Sequence, residues 1–460
     1  MPWRLLPRVP PDSRRHALFQ FAPHSLVRLQ SFRRRYGWRA TLARIAQELR
    51  GRTVPPGPTP AAAPDHPAAG SPWAPIARGD TTASAPLRFY LTPRRNRQRV
   101  TLIGERLDLR HPSDAATTAL ILATLTANRL GADLRVVTRL QAMQPDQLDE
   151  LLQLHRVALQ GEAVFQFVPI QGPDTELDRF DDELFLVTSW SSAAATLAMV
   201  PPGQVVYLVQ ADERPLQPAG EARAQCEALL HRQDLRFVVH TRRLKDHLAD
   251  HGLPHLQHGA MSFEPAFPVR PQAQGPRAGR RRFVFHAAAA ADRDLLRLGL
   301  ATIEKALTLG VLQPARWELL FLGRDMPEVV LANGQRPRHV HDLDGAAYLQ
   351  LLAQADLGLS LHPGGLPGRT PLDLAASGAI VVLNDPAAAP GKPGQAMHNL
   401  IHCATDVDAL LDGLRTAVGL VEDDRRPSRQ GPPALAHDWA HTLHDTLEHL
   451  ARPARPAPAR

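Results

Sequence analysis

The chain has 460 residues, of which 44% are hydrophobic and 43 are proline, and its formal net charge is +7 at pH 7. This length favours two domains with flanking segments over a single core, and the hydrophobic fraction allows each domain to bury one. The positive charge favours anionic partners, namely nucleotides, phospholipid head groups or nucleic acid, and does not choose among them. No run of about 18 apolar residues occurs, so we expect no membrane-spanning helix.

The two cysteines, Cys226 and Cys403, lack the spacing of a metal site or of a disulfide framework. We therefore expect free thiols in a reducing compartment. The opening residues, MPWRLLPRVPPDSRRH, lack the apolar core of a signal peptide. A cytoplasmic protein is expected, with peripheral contact at the inner membrane face left open.

Residues 1–50 are predicted to form a basic helical arm. Within residues 25–50, apolar side chains recur at roughly helical spacing among arginines, at Leu26, Leu29, Phe32, Trp38, Leu42, Ile45 and Leu49. Such a helix fits an anionic membrane surface, where each basic residue contributes about 1 kcal/mol. The alternative is a helix that packs its apolar stripe on the protein. Residues 51–86 are rich in proline and alanine, which predicts a linker without a core.

Strand and helix patterns alternate through residues 87–264, the predicted first domain. Short runs rich in β-branched and aromatic residues predict strands at VTLIG, ADLRVVT, AVFQFVPI, DELFLVTSW, QVVYLVQ and LRFVVH. Helical patterns between them cover residues 113–131, 145–160, 191–199 and 219–232. This alternation predicts a doubly wound parallel sheet.

A break rich in proline, arginine and glycine, residues 265–281, precedes a second alternating segment, residues 282–425. Its predicted strands are RRFVFHA, WELLFLG, DLGLSLH and AIVVLN. Its predicted helices are DRDLLRLGLATIEKALTLG, DGAAYLQLLAQA and DVDALLDGLRTAV. A last helix is expected over residues 434–451 and a disordered tail over 452–460. The expected fold class is therefore α/β, with two Rossmann-like doubly wound parallel-sheet domains facing a cleft in which ligands bind.

The sequence LHPGGLPGRTPLDLAASGAIVVLN joins two predicted strands of the second domain. Gly364 and Gly365 allow backbone N–H groups to approach a ligand closely. Thr370 is placed as an N-cap, with Pro371 at the first helical position. The N-terminus of this short helix suits a phosphate, and Arg369 adds a positive charge beside it. The segment therefore predicts either an anion site or a capped short helix.

Several segments together resemble the WsaF-type rhamnosyltransferases, which have the two-domain GT-B glycosyltransferase fold. The segments are YLQLLAQADLGLSL and PLDLAASGAIVVLN in the second domain, DELFLVTSWSSAAATL and VVYLVQADERPLQPAGE in the first, and FVFHAAAAADRDLLRLGLATIEKAL between them. They occur in the family's order and cover roughly residues 87–450. The resemblance implies that the second domain binds a nucleotide-sugar donor and the first binds an acceptor.

The resemblance also assigns donor-binding residues. Asp373 takes the place of the glutamate that binds the nucleotide ribose hydroxyls, although its spacing from the N-cap also approximates a capping box. Gly365, eight positions earlier, stands where many retaining members carry a glutamate. The loop keeps His362 and the pair Pro371 and Leu372 of the family pattern. By resemblance, dTDP-rhamnose is the donor that this loop is expected to bind.

Two basic residues are candidates to neutralise the diphosphate leaving group. Arg293 lies near the start of a predicted helix after the strand RFVFH, where it would face the cleft. Its alternative is a solvated arginine at a helix start. Lys392, in PGKPG, is a weaker candidate for the same role.

In the first domain, the strand VVYLV leads directly into Gln210, Asp212 and Glu213. A carboxylate at the carboxyl end of a strand can take a proton from an acceptor hydroxyl, so Asp212 and Glu213 are the predicted catalytic residues. Gln210 is predicted to lie on the acceptor side. An exposed loop is the alternative for both carboxylates.

Four more residues are predicted on the acceptor side. Trp190 follows a predicted strand and could stack on a sugar ring, or belong to the core. Ser113, Asp114 and Thr117 open the first predicted helix at the edge of the sheet, where capping explains Ser113 or Asp114 equally well.

His437, His441 and His444 recur at helical spacing in the last predicted helix. The apolar residues of this helix fall on the opposite face, so a solvated histidine face is expected rather than a metal site. We expect no metal and no cofactor apart from the donor substrate.

The predicted function is transfer of a sugar from a nucleotide-diphosphate donor to a surface-glycan or lipid-linked acceptor. A non-catalytic nucleotide-sugar or glycan-binding protein of the same fold is the alternative. Nucleic-acid binding is disfavoured, because the basic residues concentrate in the arm, linkers and tail and no nucleic-acid motif occurs.

Overall fold

The structure is a computed structural model that describes residues 86–94, 96–107, 114–170, 175–267, 279–286, 295–323, 328–341, 343, 345–362, 369–385, 399–423 and 436–452. The predicted arm, the linker up to residue 85 and the tail from residue 453 lie outside these ranges. Among the helices within them, none is long and apolar enough to cross a bilayer.

A small sheet is formed by β1 (Arg88–Leu91) and β5 (Glu176–Arg179), which pair in parallel. The backbone N–H of Thr92 donates to the carbonyl of Arg179 at 2.9 Å and extends the pairing. Sequence patterns did not predict this sheet, because its strands are only four residues long and far apart in the chain.

The first large sheet has seven parallel strands. They are β2 (Arg99–Gly104), β3 (Asp133–Thr138), β4 (Ala163–Phe167), β6 (Leu184–Val187), β7 (Val205–Val209), β8 (Arg236–His240) and β9 (Ala260–Phe263). Their order is β4-β3-β2-β6-β7-β8-β9. The chain therefore winds outward from β2 in one direction and from β6 in the other, and the order reverses between these two strands.

Helices alternate with these strands. They are α1 (Asp114–Leu130), α2 (Pro145–Leu154), α3 (Trp190–Leu197), α4 (Glu221–Leu230), α5 (Arg242–Asp250) and α6 (His255–Gly259), with a 3-10 turn at Pro202–Gln204. Helix α2 ends before the predicted boundary at residue 160. The reason is Arg156, which adopts a left-handed conformation with φ of 55° and terminates the helix.

The second large sheet has six parallel strands, in the order β12-β11-β10-β13-β14-β15. They are β10 (Arg281–His286), β11 (Trp317–Leu322), β12 (Arg338–Val340), β13 (Leu357–Ser360), β14 (Ile380–Asn384) and β15 (Leu400–Cys403). Its helices are α7 (Leu296–Thr308), α8 (Gly345–Ala353), α9 (Arg369–Ala376) and α10 (Val407–Glu422). The order reverses between β10 and β13. Two doubly wound parallel sheets thus confirm the predicted fold class.

Both large sheets are buried on two faces, which explains why their strands read as continuous apolar runs rather than alternating ones. Every residue of β7 and of β14 is buried. The first sheet nevertheless holds charges in its interior. Glu183 accepts hydrogen bonds from Arg99 at 2.7 Å and from Arg135 at 2.6 Å, and its side chain has no exposed area.

The chain returns to the first sheet at its end. Two short helices, α11 (Trp439–Thr442) and α12 (His444–Ala451), take the place of the single helix predicted over residues 434–451. The carboxylate of Asp438 caps α11 by accepting from the Ala440 N–H at 2.8 Å, so the helix starts later than predicted. Helix α12 packs on α1 and β9. Its apolar side chains and Trp439 therefore complete the core of the first sheet.

Candidate functional site

The carboxyl ends of the second sheet meet around Asn384, the last residue of β14. Its Oδ1 accepts from the backbone N–H of His362 at 2.7 Å, and its Nδ2 donates to the His362 carbonyl at 2.8 Å. The same Nδ2 donates to Oγ1 of Thr405 at 3.2 Å. Asn384 therefore fixes the backbone where it enters the glycine loop. Sequence reasoning missed this residue, although a polar side chain that ends a buried strand is a signal for such a role.

His286 ends β10, beside Ser360 of β13, at the point where the strand order reverses. Burial lowers the pKa of His286 to about 4, so its imidazole is neutral near pH 7. A neutral imidazole can accept or donate one hydrogen bond to a ligand without contributing charge. This histidine was not among the predicted site residues.

Helix α9 begins at Arg369, so Thr370 lies inside its first turn and is not the predicted N-cap. Pro371 and Leu372 follow within the helix, which tolerates a proline there because first-turn N–H groups have no helical partner. Asp373 is 8% exposed, and the hydroxyl of Tyr348 donates to its Oδ2 at 3.4 Å. Since Thr370 is not the cap, the capping-box interpretation of Asp373 loses its basis.

The helix ends at Ala376, and Gly378 closes it as predicted. This glycine has φ of +90°, a conformation that side chains other than glycine rarely adopt. The backbone N–H of Ala379 donates to the carbonyl of Leu374 at 3.1 Å across this turn. Helix α9 is therefore only about two turns long, and Asp373 lies in the second of them.

Some predicted donor residues cannot be placed. Arg293, Gly364, Gly365 and Lys392 lie outside the described residues, and the side chain of Arg369 does as well. Their roles stay predictions.

The predicted catalytic residue Asp212 is engaged by a neighbour. Its carboxylate accepts from Arg214 Nε at 2.9 Å and from Arg214 Nη2 at 2.7 Å. Burial alone would raise the pKa of this carboxyl, but the hydrogen bonds and charge of Arg214 outweigh burial and lower it. Asp212 is therefore ionised, and its carboxylate holds the Arg214 guanidinium in place.

Glu213 is also engaged by the protein. Its Oε1 accepts from the hydroxyl of Tyr207 at 2.7 Å, and its Oε2 accepts from the backbone N–H of Trp190 at 3.0 Å. Burial, together with the negative charge of Glu213, raises the pKa of Tyr207 well above its usual value. The contacts of Glu213 are those of a residue that fixes β7 to the start of α3, and its catalytic role stays a prediction.

The predicted acceptor-side residues separate into core and edge positions. Trp190 begins α3 and is 4% exposed, so its ring belongs to the core. Gln210 donates from Nε2 to the carbonyl of Ala115 at 2.9 Å and ties the end of β7 to the start of α1. Thr117 is buried, and its Oγ1 has no hydrogen-bond partner among the residues that the structure describes. Ser113 lies outside the described residues, as does the side chain of Asp114.

A polar cluster that the sequence did not reveal lies where the order of the first sheet reverses. Glu105 follows the last residue of β2, and its Oε1 accepts from the hydroxyl of Ser189 at 3.3 Å and from that of Ser191. Both serines lie at the start of α3, directly after β6. Arg139, after β3, is 3% exposed and interacts electrostatically with Glu105. These residues come from three different parts of the chain, which is why no sequence motif contains them.

The two sheets are connected by packing and by charge. Helix α9 contacts α1, and α8 contacts α2. Arg243, on α5, forms an ion pair with Asp385, which directly follows β14. Nδ1 of His402 lies 3.1 Å from Oδ2 of the same carboxylate. Helix α9, which was predicted to bind the donor, therefore contacts α1, whose first residues were predicted to lie on the acceptor side.

Among the described residues, no group of three or more histidine, cysteine, aspartate or glutamate side chains could hold a metal ion. His437, His441 and His444 are exposed, opposite the buried face of α11 and α12, as expected. The described part of the chain contains one Asp-x-Asp pair, Asp406 and Asp408, and both carboxylates have partners in the protein. Asp406 caps α10 and Asp408 pairs with Lys305.

Comparison with known proteins gives one family. The family described as WsaF, C-terminal domain, matches residues 281–415, from the first residue of β10 into α10. No curated protein matches the chain.

Solved structures resemble the chain at low identity. Sucrose-phosphate synthase from Thermosynechococcus elongatus is 14% identical over 77% of this chain and 94% of its own, with a TM-score of 0.46. UDP-GlcNAc 2-epimerase from Neisseria meningitidis bound to UDP-GlcNAc is 11% identical over 77% and 99%, with a TM-score of 0.47. WaaG, a glycosyltransferase involved in lipopolysaccharide biosynthesis, is 15% identical over 76% and 98%, with a TM-score of 0.45.

The family match falls on the six-stranded sheet and its helices, including α9 and Asp373. It agrees with the resemblance read from the sequence of that segment. The six-stranded sheet and its helices are therefore similar to the C-terminal domain of WsaF.

Proposed function

We propose that the chain is a GT-B glycosyltransferase that moves a sugar from a nucleotide-diphosphate donor to an acceptor. The observation that carries the proposal is the WsaF match over residues 281–415, because this segment contains Asp373, helix α9 and the six strands of the second sheet. The charge of the chain suits an anionic donor.

Asp373 would hold the ribose hydroxyls of the donor. Its side chain is mostly buried and accepts a hydrogen bond from Tyr348, which helps to hold the carboxylate in one orientation. A buried carboxylate that can accept two hydroxyl hydrogen bonds recognises a ribose diol well. The N-terminus of α9, Arg293 and Lys392 would then neutralise the diphosphate as the bond to the sugar breaks.

The finer assignments follow from the sequence resemblance. The donor would be dTDP-rhamnose, with neither a metal nor a further cofactor. The acceptor would be a surface-glycan or lipid-linked precursor at the cytoplasmic face of the membrane. Residues 25–50, with their alternating arginines and apolar side chains, would hold the protein on that anionic surface.

Thermal unfolding with a panel of nucleotide sugars tests the proposal. We expect one of dTDP-rhamnose, UDP-glucose, UDP-GlcNAc and GDP-mannose to raise the melting temperature, because saturating ligand stabilises the folded state by several kcal/mol. Asp373→Ala should lose this shift. Asp412→Ala is the matched control, since the Asp412 side chain is 72% exposed on α10 and should leave the shift unchanged.

Three outcomes separate the candidate functions. Absence of a shift with every nucleotide sugar and with free nucleoside diphosphates would refute donor binding. Binding without release of nucleoside diphosphate would favour the non-catalytic binding protein, which the departure at Gly365 from the family pattern also suggests. Salt-sensitive retention on DNA by a chain lacking residues 1–86 would instead support nucleic-acid binding.

A further inference from the structure

We propose that the first sheet domain binds its ligand through an anionic group, a phosphate or a carboxylate, which pairs with the guanidinium of Arg139. The inference rests on the proposed function, in which this ligand is the acceptor, and it adds the chemical class of that acceptor. Gly104 of β2 pairs with Thr138 of β3, so Glu105 and Arg139 are neighbours just beyond the carboxyl ends of these strands. The order of the sheet reverses beside β2, and ligands of doubly wound sheets bind in the crevice outside such a reversal.

Arg139 is a buried cation without a side-chain partner in the part of the chain that the structure describes. The residue is 3% exposed, its guanidinium donates no hydrogen bond and forms no ion pair within that part, and its Nε is buried. Its backbone is bonded, because its N–H donates to the Glu105 carbonyl at 3.2 Å and its carbonyl accepts from the Ile170 N–H at 3.3 Å. A buried charge without a partner is costly, so it indicates a group that a ligand satisfies.

A second arginine of the same segment shows what burial in the fold alone requires. Arg135, on β3, is 1% exposed, and it donates from Nε to Oγ1 of Thr101 at 2.9 Å and from Nη2 to Oε1 of Glu183 at 2.6 Å. Four positions later, just after β3, Arg139 has no such partners among the described residues. The sheet therefore satisfies the arginine in its interior and leaves the one at its carboxyl edge to another molecule.

Glu105 does not take the place of the missing partner. Its Oε1 accepts from the hydroxyls of Ser189 at 3.3 Å and of Ser191, which hold the carboxylate at the start of α3. Burial lowers the pKa of Arg139, and the electrostatic effect of Glu105 only partly opposes this shift. Glu105 and Ser189 are half-buried, so the cluster that includes Arg139 reaches the surface of the domain. A ligand therefore has access to the guanidinium from this side.

The chemistry of the guanidinium selects the class of ligand. A phosphate or a carboxylate supplies the negative charge that the buried Arg139 lacks, and two of its oxygens match two parallel N–H groups of an arginine. A neutral hydroxyl would accept a hydrogen bond but would leave the buried charge uncompensated. The acceptor is therefore a sugar or lipid phosphate, or a sugar acid, rather than a neutral glycan.

Thermal unfolding of the full chain tests the site. The anionic probes are inorganic phosphate, glucose 1-phosphate and glucuronate, and their neutral counterparts are methyl glucoside and glucose. The anionic probes should raise the melting temperature and the neutral ones should not, because a ligand that binds only the folded state stabilises it. A larger shift with glucose 1-phosphate than with glucuronate would identify a phosphate-bearing acceptor, and the reverse would identify a sugar acid.

Substitutions locate the bound anion. Arg139→Gln should weaken phosphate binding by about tenfold or more, and Arg139→Lys should retain part of it because the charge remains. Arg236→Gln is the matched control, since Arg236 is also an arginine whose pKa burial lowers but it begins β8, at the amino edge of the sheet. Phosphate also stabilises proteins by exclusion from their surface. A shift from that source, or from phosphate at the donor site, would persist in Arg139→Gln.

The stability of the ligand-free protein separates a ligand-binding arginine from a structural one. Arg139→Met removes the buried charge and keeps most of the apolar stem, so the melting temperature without ligand should rise. An arginine that the fold needs shows the opposite sign. Arg135→Met should therefore lower the melting temperature, because it removes a partner of the buried Glu183 carboxylate.

The outcomes are distinct. Equal phosphate shifts in Arg139→Gln and the unaltered protein, equal shifts with neutral and anionic probes, or a lower melting temperature for Arg139→Met would overturn the inference. Those results would leave donor binding intact, because it is measured by the nucleotide-sugar shift and its loss in Asp373→Ala. Absence of every nucleotide-sugar shift, together with a phosphate shift that requires Arg139, would overturn the proposed function and the assignment of the anion to an acceptor.

Discussion

Replacement of Glu183 by leucine tests how the first sheet tolerates charge in its interior. The Glu183 side chain is fully buried, that of Arg135 is 1% exposed and that of Arg99 is 14% exposed. Glu183→Leu removes the carboxylate that pairs with the buried Arg135 guanidinium. Breaking a buried pair in this way costs about 3–5 kcal/mol, a large part of the roughly 5–15 kcal/mol that stabilises a typical domain.

Removal of both charges should be less harmful than removal of one. In Arg135→Met with Glu183→Leu, two apolar side chains of similar size replace the pair, and such replacements are often neutral or stabilising. Arg99 keeps some contact with solvent. The double variant should therefore be more stable than Glu183→Leu, so the two changes are not additive.

Urea unfolding followed by circular dichroism measures these differences as shifts in the transition midpoint. The control is Asp234→Asn, because the pair of Arg232 and Asp234 is 37% and 46% exposed, and such pairs contribute less than about 1 kcal/mol. The reasoning is refuted if Glu183→Leu matches this control, or if the double variant loses as much as the two single variants together.

Three further predictions concern the second sheet. Gly299→Ala should destabilise the fold by about 1–3 kcal/mol, because an added Cβ would lie 2.2 Å from the Phe285 ring. Gly419→Ala should stabilise it by up to about 1 kcal/mol, because a Cβ there meets nothing within 4 Å. The urea midpoint should therefore fall in the first variant and rise in the second. As pH falls from 6.5 to 4, the unfolded His286 imidazole takes up a proton that the folded one, with a pKa of about 4, does not, so about 3 kcal/mol of stability should be lost. His286→Asn should remove that loss, and an unchanged pH dependence of the melting temperature would contradict it. Arg243→Gln should destabilise the protein, and a second change at its partner carboxylate should add less than its own effect in a double-mutant cycle.

The sequence predicted most of the central strands and longer helices of both sheets, because a buried strand is a short apolar run and the longer helices show their own periodicity. Boundaries were less predictable. Helix α2 ends early because Arg156 takes a left-handed conformation, and α9 begins before the threonine that looked like its cap. Strands β9 and β15 were not predicted, since their apolar runs are only four residues long.

The candidate site was predictable on the donor side and not on the acceptor side. Asp373 follows from a continuous motif in which loop, helix and strand are adjacent in sequence. Glu105, by contrast, acquires its environment from Ser189 and Ser191, which are more than 80 residues away and reach it only through the strand order. Asp212 and Glu213 do follow a strand end. In the structure, however, Asp212 accepts hydrogen bonds from Arg214, and Glu213 accepts them from Tyr207 and the backbone of Trp190.

The packing of α12 on α1 has a consequence for biosynthesis. The ribosome completes most of the first sheet before it makes the second, yet Leu447 and Leu450, which belong to the core of the first sheet, are made only after the second domain. Until then, part of the apolar surface of α1 has nothing to cover it. The second domain can bury its own core while this surface of α1 is still exposed. The domain that is synthesised first therefore finishes folding last, and a chaperone that binds apolar surface would find its longest opportunity there.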